Sequence, residues 1–439
     1  MENRINRRKF LQASAAAGLV STVLKSGKVH AATDGKVRVG FTGVGNQGTN
    51  LLETSLAMQD IEVPAICDIN KDNLSHALDL VEKSGRKRPE GYSADPEDYR
   101  RMSEREDLDA VLTATPWELH VPVMVDAMNK GKYACTEVPA AYTVEGCWDL
   151  VETSERTGMP MMMLENHCYQ LNNTAVLQMV RAGLFGELLH GECGYQHDVR
   201  YLGGKEGKIG ANGELLWRGK HAITRNGDLY PTHGLGPVAH WMDINCGDQF
   251  HYLTSAATIS RGMNTEIAKR FGKNHPNATR EYALGDVVTT VIRTRLGRTI
   301  TINHDTQSPR PYSNMTKIQG TKGLYVELNR SVYFEDLSPE MHRWEPFDAY
   351  EKKYEHPMWT AWQKISATFG HGGTDYLKLR SFFDAVKDRN PVPIDVYDAV
   401  AWSVISPLSE KSIANGSAPV EFPDFTKGKW KTRKPFFGV

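Results

Sequence analysis

The sequence predicts an α/β protein in which an N-terminal Rossmann-type, doubly wound parallel sheet precedes an α/β domain with an open, mostly antiparallel sheet. The chain has 439 residues, which is too long for one small domain and typical of two domains that share a cleft. Strand-like runs alternate with helical patterns as far as about Met163. Beyond that point, extended runs with period-two alternation over 188–197, 249–260, 287–293 and 299–304 predict the second sheet. Helical spacing over 376–386 and 396–410 predicts two helices that pack back against the first domain.

The first 31 residues differ in composition from the rest of the chain. Arg7 and Arg8 precede a small apolar run over 13–23, and Val29-His30-Ala31 supplies a small-residue cleavage site. This order is typical of a secretory signal peptide, and the paired arginines indicate the twin-arginine machinery. We therefore expect export to the periplasm, with a mature chain beginning at Ala32. An amphipathic N-terminal helix with chance arginines is the alternative.

Residues 32–163 carry the pattern of a dinucleotide-binding domain. A strand over 36–41 runs into Gly43-Val44-Gly45-Asn46-Gln47-Gly48, and an apolar helical pattern begins directly afterwards. Glycines permit a tight turn and a close approach of the backbone to a ligand, and the following helix N-terminus binds a diphosphate. The hexapeptide alone is weak evidence, but its place between a strand and a helix makes it specific.

Asp68 ends the second predicted strand, about twenty residues after the last glycine of the turn, as the dinucleotide-binding fingerprint requires. Its carboxylate can accept hydrogen bonds from the ribose hydroxyls of the adenosine. Its charge would repel a 2′-phosphate, which favours NAD over NADP. The alternative is that Asp68 only caps the helix that begins near Lys71.

The next two strands place further residues at the same edge of the sheet. A strand over 108–114 opens into Trp117-Glu118-Leu119-His120, and a strand over 132–136 ends in Glu137-Val138-Pro139. Ligands in such sheets lie beyond the carboxyl ends of the strands. We therefore expect Trp117, Glu118 and His120 on the nicotinamide side of the cofactor.

The Glu-x-Pro end of that strand, after a glycine fingerprint, resembles the glucose-fructose oxidoreductase/inositol dehydrogenase superfamily. The resemblance implies a Rossmann domain followed by an α/β domain whose open sheet carries the substrate. Typical dehydrogenases of that superfamily have Glu-Lys-Pro, with the lysine at the reacting carbon. Here the middle residue is Val138, which cannot transfer a proton, so an ordinary dehydrogenase reaction is not expected.

Five further segments are together similar to glycoside hydrolase family 109. They are Met162-Met163-Leu164-Glu165-Asn166, Gly194-Tyr195-Gln196-His197-Asp198, Tyr230-Pro231-Thr232-His233-Gly234-Leu235-Gly236-Pro237, His304-Asp305-Thr306 and Pro309-Arg310-Pro311-Tyr312. The resemblance runs from the N-terminal signal to about Tyr312. It implies an NAD-dependent α-N-acetylgalactosaminidase acting on a small-molecule or glycan substrate.

The same resemblance implies roles for individual residues. His233 matches the catalytic histidine, while Tyr195 and Tyr230 are candidate proton carriers or hydroxyl ligands. As the C2 base, either phenol would need a depressed pKa. The expected substrate-binding residues are Tyr195, Arg218, Tyr230, Thr232, His233 and Tyr312, and the expected cofactor contacts beyond the fingerprint are Trp117, Glu118, His120, Glu137, Val138 and Asn166.

Structural roles are the alternatives for several of these residues. Tyr195 could be a core aromatic of the sheet, Arg218 a solvated loop charge, and Glu118 and Glu165 exposed loop charges.

The chemistry implied by the resemblance is an oxidation that leaves no net change in the cofactor. Removal of a hydride from C3 of the sugar acidifies the proton at C2, the C1 substituent leaves by elimination, water adds, and the hydride returns. A periplasmic sugar oxidoreductase of the same superfamily and a non-catalytic sugar- or NAD-binding module are the alternatives. Val138 argues against the first of these, and the clustered Tyr and His motifs argue against the second.

The remaining sequence features concern the domain boundaries, the net charge, the cysteines and membrane insertion. The second domain is predicted over 164–395, with a helix and tail over 396–439, while residues 336–371 show no assignable periodicity. A formal net charge of -1 gives no general attraction for nucleic acid. The six cysteines form no cluster with metal-ligand spacing, so no metal site is expected. Stable membrane insertion is not expected, and a homo-oligomer is left open.

Overall fold

The computed structural model describes residues 35–366 and 368–438, so the predicted signal segment over 1–31 lies outside the described residues. The first sheet has the strand order β3-β2-β1-β4-β5-β6, with parallel pairing throughout. Its strands are β1 (Val37–Thr42), β2 (Ile61–Cys67), β3 (Glu90–Tyr92), β4 (Ala110–Thr113), β5 (Tyr133–Thr136) and β6 (Met161–Met163). The intervening helices are α1 (Asn46–Leu56), α2 (Lys71–Lys83), α3 (Tyr99–Ser103), α4 (His120–Asn129) and α5 (Val144–Thr157).

This order makes the sheet doubly wound, as the sequence predicts. The chain moves outward from β1 to β3 and then returns to the other side of β1 with β4. Because parallel crossovers are right-handed, the two halves place their helices on opposite faces of the sheet. The strand order reverses between β1 and β4, so a crevice opens there at the carboxyl ends of the strands.

The second sheet has the order β16-β15-β14-β13-β7-β12-β11-β10-β17. Its β7 and β12 are parallel and its other neighbouring pairs are antiparallel. The bounds, with those of the separate β8–β9 hairpin, are β7 (Leu188–Gln196), β8 (Tyr201–Leu202), β9 (Glu206–Gly207), β10 (Phe250–Ala257), β11 (Val287–Thr294), β12 (Thr299–Asp305), β13 (Lys317–Gly320), β14 (Gly323–Val326), β15 (Ser331–Phe334), β16 (Glu345–Pro346) and β17 (Val420–Glu421).

The helices that follow β6 in the chain cover both sheets. Along the described chain they are α6 (Leu171–Arg181), α7 (Trp217–Thr224), α8 (Thr232–Trp241), α9 (Gly262–Phe271), α10 (Asp348–Lys353), α11 (Pro357–Ser366), α12 (Thr374–Asp388), α13 (Val396–Ser403) and α14 (Ile405–Ala414).

Two of these helices return to the first domain. Helix α12, which lies inside the predicted second domain, packs against α1 and β1, and α13 packs against α5 and β6. The segment 336–371, left unassigned by periodicity, contributes β16, α10 and α11. Among the residues with described structure, no helix is long and apolar enough to cross a membrane.

Candidate active site

A cavity of about 740 Å³ lies between the carboxyl edge of the parallel sheet and the second domain. The glycine turn, Asp68 and the ends of β4 and β5 form one wall. The opposite wall comes from the end of β7, the β8–β9 hairpin and the segments that enter α7 and α8. Residues from both predicted groups, the cofactor-binding group and the substrate-binding group, therefore line the same cavity.

The glycine turn is built for a close backbone approach. Gly43 has φ +78°, and a Cβ on Gly48 would lie 2.0 Å from the Gly43 carbonyl oxygen, so α1 can pack against β1 only with glycine there. Beside Gly45, the nearest atom to an added Cβ is the Asn73 Nδ2, 3.8 Å away. Gly43, Gly45, Asn46 and Gln47 line the cavity. Gly48 lies outside this lining and packs against Gly43, so its contact with the cofactor stays a prediction.

Asp68 is oriented by two backbone donors. Its Oδ2 accepts from the Val44 N–H at 2.8 Å, and its Oδ1 accepts from the Asn70 N–H at 2.8 Å. The cap of α2 is Asn70, whose side chain accepts from the N–H groups of Asp72 and Asn73. The hypothesis that Asp68 is only the helix cap is therefore wrong, and its carboxylate lines the cavity next to the glycine turn.

The strand ends supply most of the remaining cofactor-side wall. Trp117, His120, Glu137, Val138 and Asn166 all line the cavity. The buried His120 ring lies 2.7 Å from the Pro139 carbonyl oxygen and 2.9 Å from that of Thr115, which fixes the two loops to each other.

Glu118 does not belong to this wall. Its carboxylate lies outside the cavity lining and is 3.2 Å from His221 Nε2, so its cofactor contact stays a prediction. The 3-10 turn over Trp117–Leu119 directs neighbouring side chains to different sides, and only Trp117 and Leu119 reach the cavity.

His233 reaches the cavity because α8 lies almost in contact with β7. A Cβ on Gly234 would be 2.5 Å from the Gly194 backbone nitrogen, so the two backbones touch where both residues lack side chains. This packing brings the His233 ring to 5.3 Å from the Tyr195 ring, measured between centroids. The Gly-rich start of α8 is thus the reason that the histidine and the strand tyrosine share one site.

Glu165 holds the far side of the His233 ring. His233 Nδ1 lies 2.7 Å from Glu165 Oε1 and 3.0 Å from Oε2, and the Glu165 side chain has no exposed surface. The interpretation of Glu165 as an exposed loop charge is therefore wrong. Burial would raise the pKa of its carboxyl, but the charge and hydrogen bond of His233 outweigh it and lower the pKa to about 2. Because a carboxylate occupies Nδ1, Nε2 is the nitrogen of His233 that can exchange a proton with a ligand in the cavity.

Tyr195 forms a second pair with His197. The phenol oxygen lies 3.0 Å from His197 Nδ1, and both residues line the cavity. Burial raises the pKa of Tyr195 to about 12, so the depressed pKa expected of a phenolate base is not found. Burial also lowers the pKa of His197, which keeps the imidazole neutral and able to accept the phenol proton.

Arg218 and Tyr230 complete the sugar-side wall. The Arg218 guanidinium lies 5.8 Å from the centre of the Tyr230 ring and 4.8 Å from that of Trp217, and Arg218, Trp217 and Tyr230 line the cavity. Arg218 is half-buried on the cavity wall, which does not fit a solvated loop charge.

The other two predicted substrate contacts lie outside the cavity lining. Thr232 is fully buried as the first residue of α8, and its contact with substrate stays a prediction. Tyr312 stands in a loop at the edge, with its ring 4.8 Å from the His197 ring between centroids.

His167 is a site residue that the sequence analysis missed. Its Nε2 lies 3.0 Å from the Tyr312 hydroxyl, its Nδ1 contacts Asn314 Nδ2, and burial lowers its pKa well below the usual value. Glu165, His167 and His233 offer ligand atoms within 4.8 Å of one another, so they could hold a metal ion. In this arrangement those atoms already bind each other, Tyr312 and Asn314, which favours a hydrogen-bond network.

Comparison with known proteins identifies the family. Residues 169–432 match the family described as Glycosyl hydrolase 109, C-terminal domain, and residues 37–165 match the Oxidoreductase family, NAD-binding Rossmann fold. The chain belongs to glycosyl hydrolase family 109. A protein of Tannerella forsythia named alpha-N-acetylgalactosaminidase is 43% identical over the whole length of both chains. A Glycosyl hydrolase family 109 protein of Stenotrophomonas maltophilia is 43% identical over 99% of this chain and 98% of its own.

Solved structures share the fold at low identity. Levoglucosan dehydrogenase in complex with NADH and L-sorbose has a TM-score of 0.66 and 19% identity, over 89% of this chain and all of that chain. Myo-inositol dehydrogenase from Lactobacillus casei, in complex with NAD(H) and myo-inositol, has a TM-score of 0.60 and 16% identity, over 89% of this chain and 99% of that chain. The family 109 chain thus combines a glycoside hydrolase domain with an oxidoreductase fold.

The residues of the first domain fit NAD. No side chain caps the N-terminus of α1, so its first N–H groups are free for a diphosphate. The space beside Gly45 is open, and the oriented carboxylate of Asp68 stands at the end of β2 where a ribose diol would lie. The protein is therefore an NAD-binding glycoside hydrolase.

Proposed function

We propose that this protein removes terminal α-linked N-acetylgalactosamine from glycans by transient oxidation at C3, elimination across C1 and C2, addition of water and re-reduction. The name of the Tannerella forsythia relative, which is 43% identical over the full chain, supports the sugar and the linkage. The reaction route is supported by three side chains that can carry protons and line the same cavity as the cofactor-side wall: Tyr195, His197 and His233.

The side chains around His233 favour the elimination route over direct displacement at C1. Direct glycosidases place two carboxyl groups on either side of the bond that breaks. Around His233, the cavity wall carries Tyr195, His197, Arg218 and Tyr230. The carboxylates of the lining belong to the cofactor-side wall and the β8–β9 hairpin: Asp68, Asp95, Glu137 and Glu206. The nearest carboxylate, Glu165, is fully buried and bound to His233. Phenols and imidazoles suit successive proton transfers better than displacement at C1.

His233 is the proposed proton acceptor at C3. When bound, NAD supplies the acceptor for the C3 hydride and later its donor. The Nε2 atom of His233 takes the proton of the C3 hydroxyl, while Glu165 at Nδ1 stabilises the imidazolium that forms. The same nitrogen returns the proton when the C3 carbonyl is reduced.

The Tyr195–His197 pair is the proposed base at C2. The ketone at C3 acidifies the C2 proton, which the Tyr195 oxygen accepts while its own phenol proton passes to His197 Nδ1. The electron pair of the C2–H bond forms the C1–C2 double bond, and the C1 oxygen substituent leaves with the electrons of the C1–O bond and takes a proton from solvent. Water then adds at C1 and releases one proton to solvent, while the Tyr195–His197 pair returns a proton to C2. Arg218 and Tyr230 bind the sugar hydroxyls and fix its orientation.

A net sugar oxidoreductase remains the second hypothesis, and Val138 counts against it. Its side chain is 3% exposed and lies in the cavity wall, where it offers no group for proton transfer. A net oxidation would also leave a reduced cofactor after each turnover and so need a second substrate.

We further propose that the protein is exported to the periplasm in folded form with NAD already bound. The order of Arg7, Arg8, the apolar run and Val29-His30-Ala31 supports this route. Replacement of both arginines by lysine should retain the protein in the cytoplasm, and fractionation of cells carrying the two forms tests this. A periplasmic lysine variant would contradict the proposal.

The direct test of the activity is incubation with an aryl α-N-acetylgalactosaminide without added cofactor. Release of the phenol over many turnovers is the expected result, with the aryl α-galactoside and a His233→Ala variant as controls. No release, or accumulation of reduced cofactor with free sugars, would contradict the proposal, and the latter would favour the oxidoreductase.

A further inference from the structure

Four charged side chains form a continuous chain between α12 and the end of β5. His371 Nδ1 lies 2.7 Å from Asp375 Oδ2, Asp375 Oδ1 lies 2.9 Å from Lys378 Nζ, and Lys378 Nζ lies 2.8 Å from Glu137 Oε1. The side chains of Asp375 and Lys378 are each 1% exposed. Neither the sequence motifs nor the proposed reaction assign a role to His371, Asp375 or Lys378.

Both ends of this chain reach the cavity. Glu137 and His371 line its wall, whereas Asp375 and Lys378 lie behind it. Gln47, in the glycine turn, donates from Nε2 to the same Glu137 oxygen at 3.3 Å. The chain therefore ties the turn that faces the diphosphate to a histidine on the neighbouring wall.

The alternation of charge explains why the buried members are tolerated. Isolated buried charges are costly, but here each cation lies between or beside anions at hydrogen-bond distance. The hydrogen bond to Asp375 raises the pKa of His371, against the effect of its partial burial. Asp375, Lys378, Glu137 and His167 are the charged or titratable groups that act on it. With Nδ1 engaged by Asp375, its Nε2–H is the group left for a ligand.

We propose that His371 is a cofactor-binding residue, whose Nε2–H donates to an oxygen of the diphosphate–ribose backbone of NAD. The cofactor is favoured over the sugar because α12 packs against α1 and β1 of the NAD-binding domain. The other end of the chain, Glu137, also holds Gln47 of the glycine turn. Asp375 and Lys378 are positioning residues that fix His371 and Glu137. The proposal rests on NAD binding by the first domain and is independent of the reaction at the sugar.

Equilibrium binding of NAD to protein freed of nucleotide tests this role without any turnover. His371→Gln keeps a polar side chain at a half-exposed position, and His76→Gln removes an exposed histidine of α2 as the matched control. The wild-type affinity should fall as the pH rises through the raised pKa of His371, because the charged donor is lost. His371→Gln should bind about tenfold or more weakly at pH 6 and lose that pH dependence. His76→Gln should follow the wild type.

Two results would overturn the proposal. One is unchanged affinity in His371→Gln. The other is a weakened affinity whose pH dependence still matches that of the wild type, which would mark His371 as a structural residue only. Thermal unfolding of each nucleotide-free variant verifies that the fold is intact. Aryl glycoside hydrolysis, measured separately, shows whether the proposed reaction holds in either case.

Discussion

The imidazole rings of His167 and His233 are stacked, with 4.1 Å between their centroids and 28° between their planes. Two imidazolium ions at this separation would repel each other strongly. Burial and the neighbouring charge of His233 both lower the pKa of His167, so His167 stays neutral. The carboxylate of Glu165 accepts from the backbone N–H of His167 and contacts the ring of His233 at Nδ1, so its charge lies directly against the His233 imidazole.

Replacement of Glu165 by glutamine should slow hydrolysis by a factor on the order of 10²–10⁴, because the imidazolium of His233 loses its counter-charge and its tautomer is no longer fixed. The amide has nearly the same size as the carboxylate, so NAD retention should change little, while loss of the charge that binds His233 should lower the temperature of thermal unfolding. Steady-state rates and the NAD content of the purified variant measure both effects. A variant with wild-type turnover would show that the buried carboxylate does not support His233.

Tyr195→Phe should impair the step at C2 more than the step at C3. The variant lacks the phenol oxygen, while the Glu165–His233 pair is unchanged, so reduced cofactor should still form with substrate. The absorbance of reduced nicotinamide, followed after mixing with substrate, should rise and persist while phenol release falls by about 10²-fold or more. Loss of both signals together would contradict the separation of the two bases.

The acid side of the pH profile should depend on His197. The imidazole must be neutral to accept the phenol proton, and burial lowers its pKa, so the limb that His197 contributes should lie below the ordinary histidine pKa. His197→Asn should lower the rate and remove this limb from the profile. Profiles of kcat for the two proteins provide the measurement, and an identical limb in the variant would assign it to another group.

Asp68→Ala should weaken NAD binding by about tenfold or more, because a charged acceptor for the ribose hydroxyls is lost and the Val44 N–H loses its partner. Asn70→Ala is the matched control: it removes the cap of α2 and should cost about 1 kcal/mol of stability with little loss of NAD. Nucleotide released on denaturation after desalting measures retention. Equal retention in wild type and Asp68→Ala would contradict the ribose contact.

Treatment with a strong chelator should leave activity unchanged. Glu165, His167 and His233 could together hold a metal, but their donor atoms are engaged in the hydrogen bonds that orient His233 and Tyr312. Activity lost to chelation and restored by a divalent ion would instead assign these residues to a metal.

The sequence predicted the two sheets closely because their patterns are local. The expected extended runs over 188–197, 287–293 and 299–304 correspond to β7, β11 and β12 within one or two residues. The return of the helices predicted over 376–386 and 396–410 to the first domain is confirmed by α12 and α13. The parallel pairing of β7 with β12 was not predicted, because it depends on contacts between distant parts of the chain. Residues 336–371 combine short elements with turns, and the turns before β16 expose Leu337, Met341 and Trp344, which explains the lack of periodicity.

The site was predicted in part, for a similar reason. The glycine turn, Asp68, Tyr195, Arg218, Tyr230 and His233 stand in motifs, and the structure brings them to one cavity. The partners that orient them come from other elements: Glu165 reaches His233 from the end of β6. Strand periodicity could have indicated His197, since residues two apart share a face with Tyr195. No local pattern marks Lys378 as the partner of Glu137.

The fate of the C2 proton distinguishes elimination from direct displacement most clearly. Hydrolysis of an aryl α-N-acetylgalactosaminide in heavy water, followed by mass and NMR analysis of the released sugar, measures deuterium at C2. The elimination route predicts deuterium at C2, because the Tyr195–His197 pair exchanges its proton with solvent before returning it. Hydrolysis at a normal rate with only protium at C2 would contradict the elimination route.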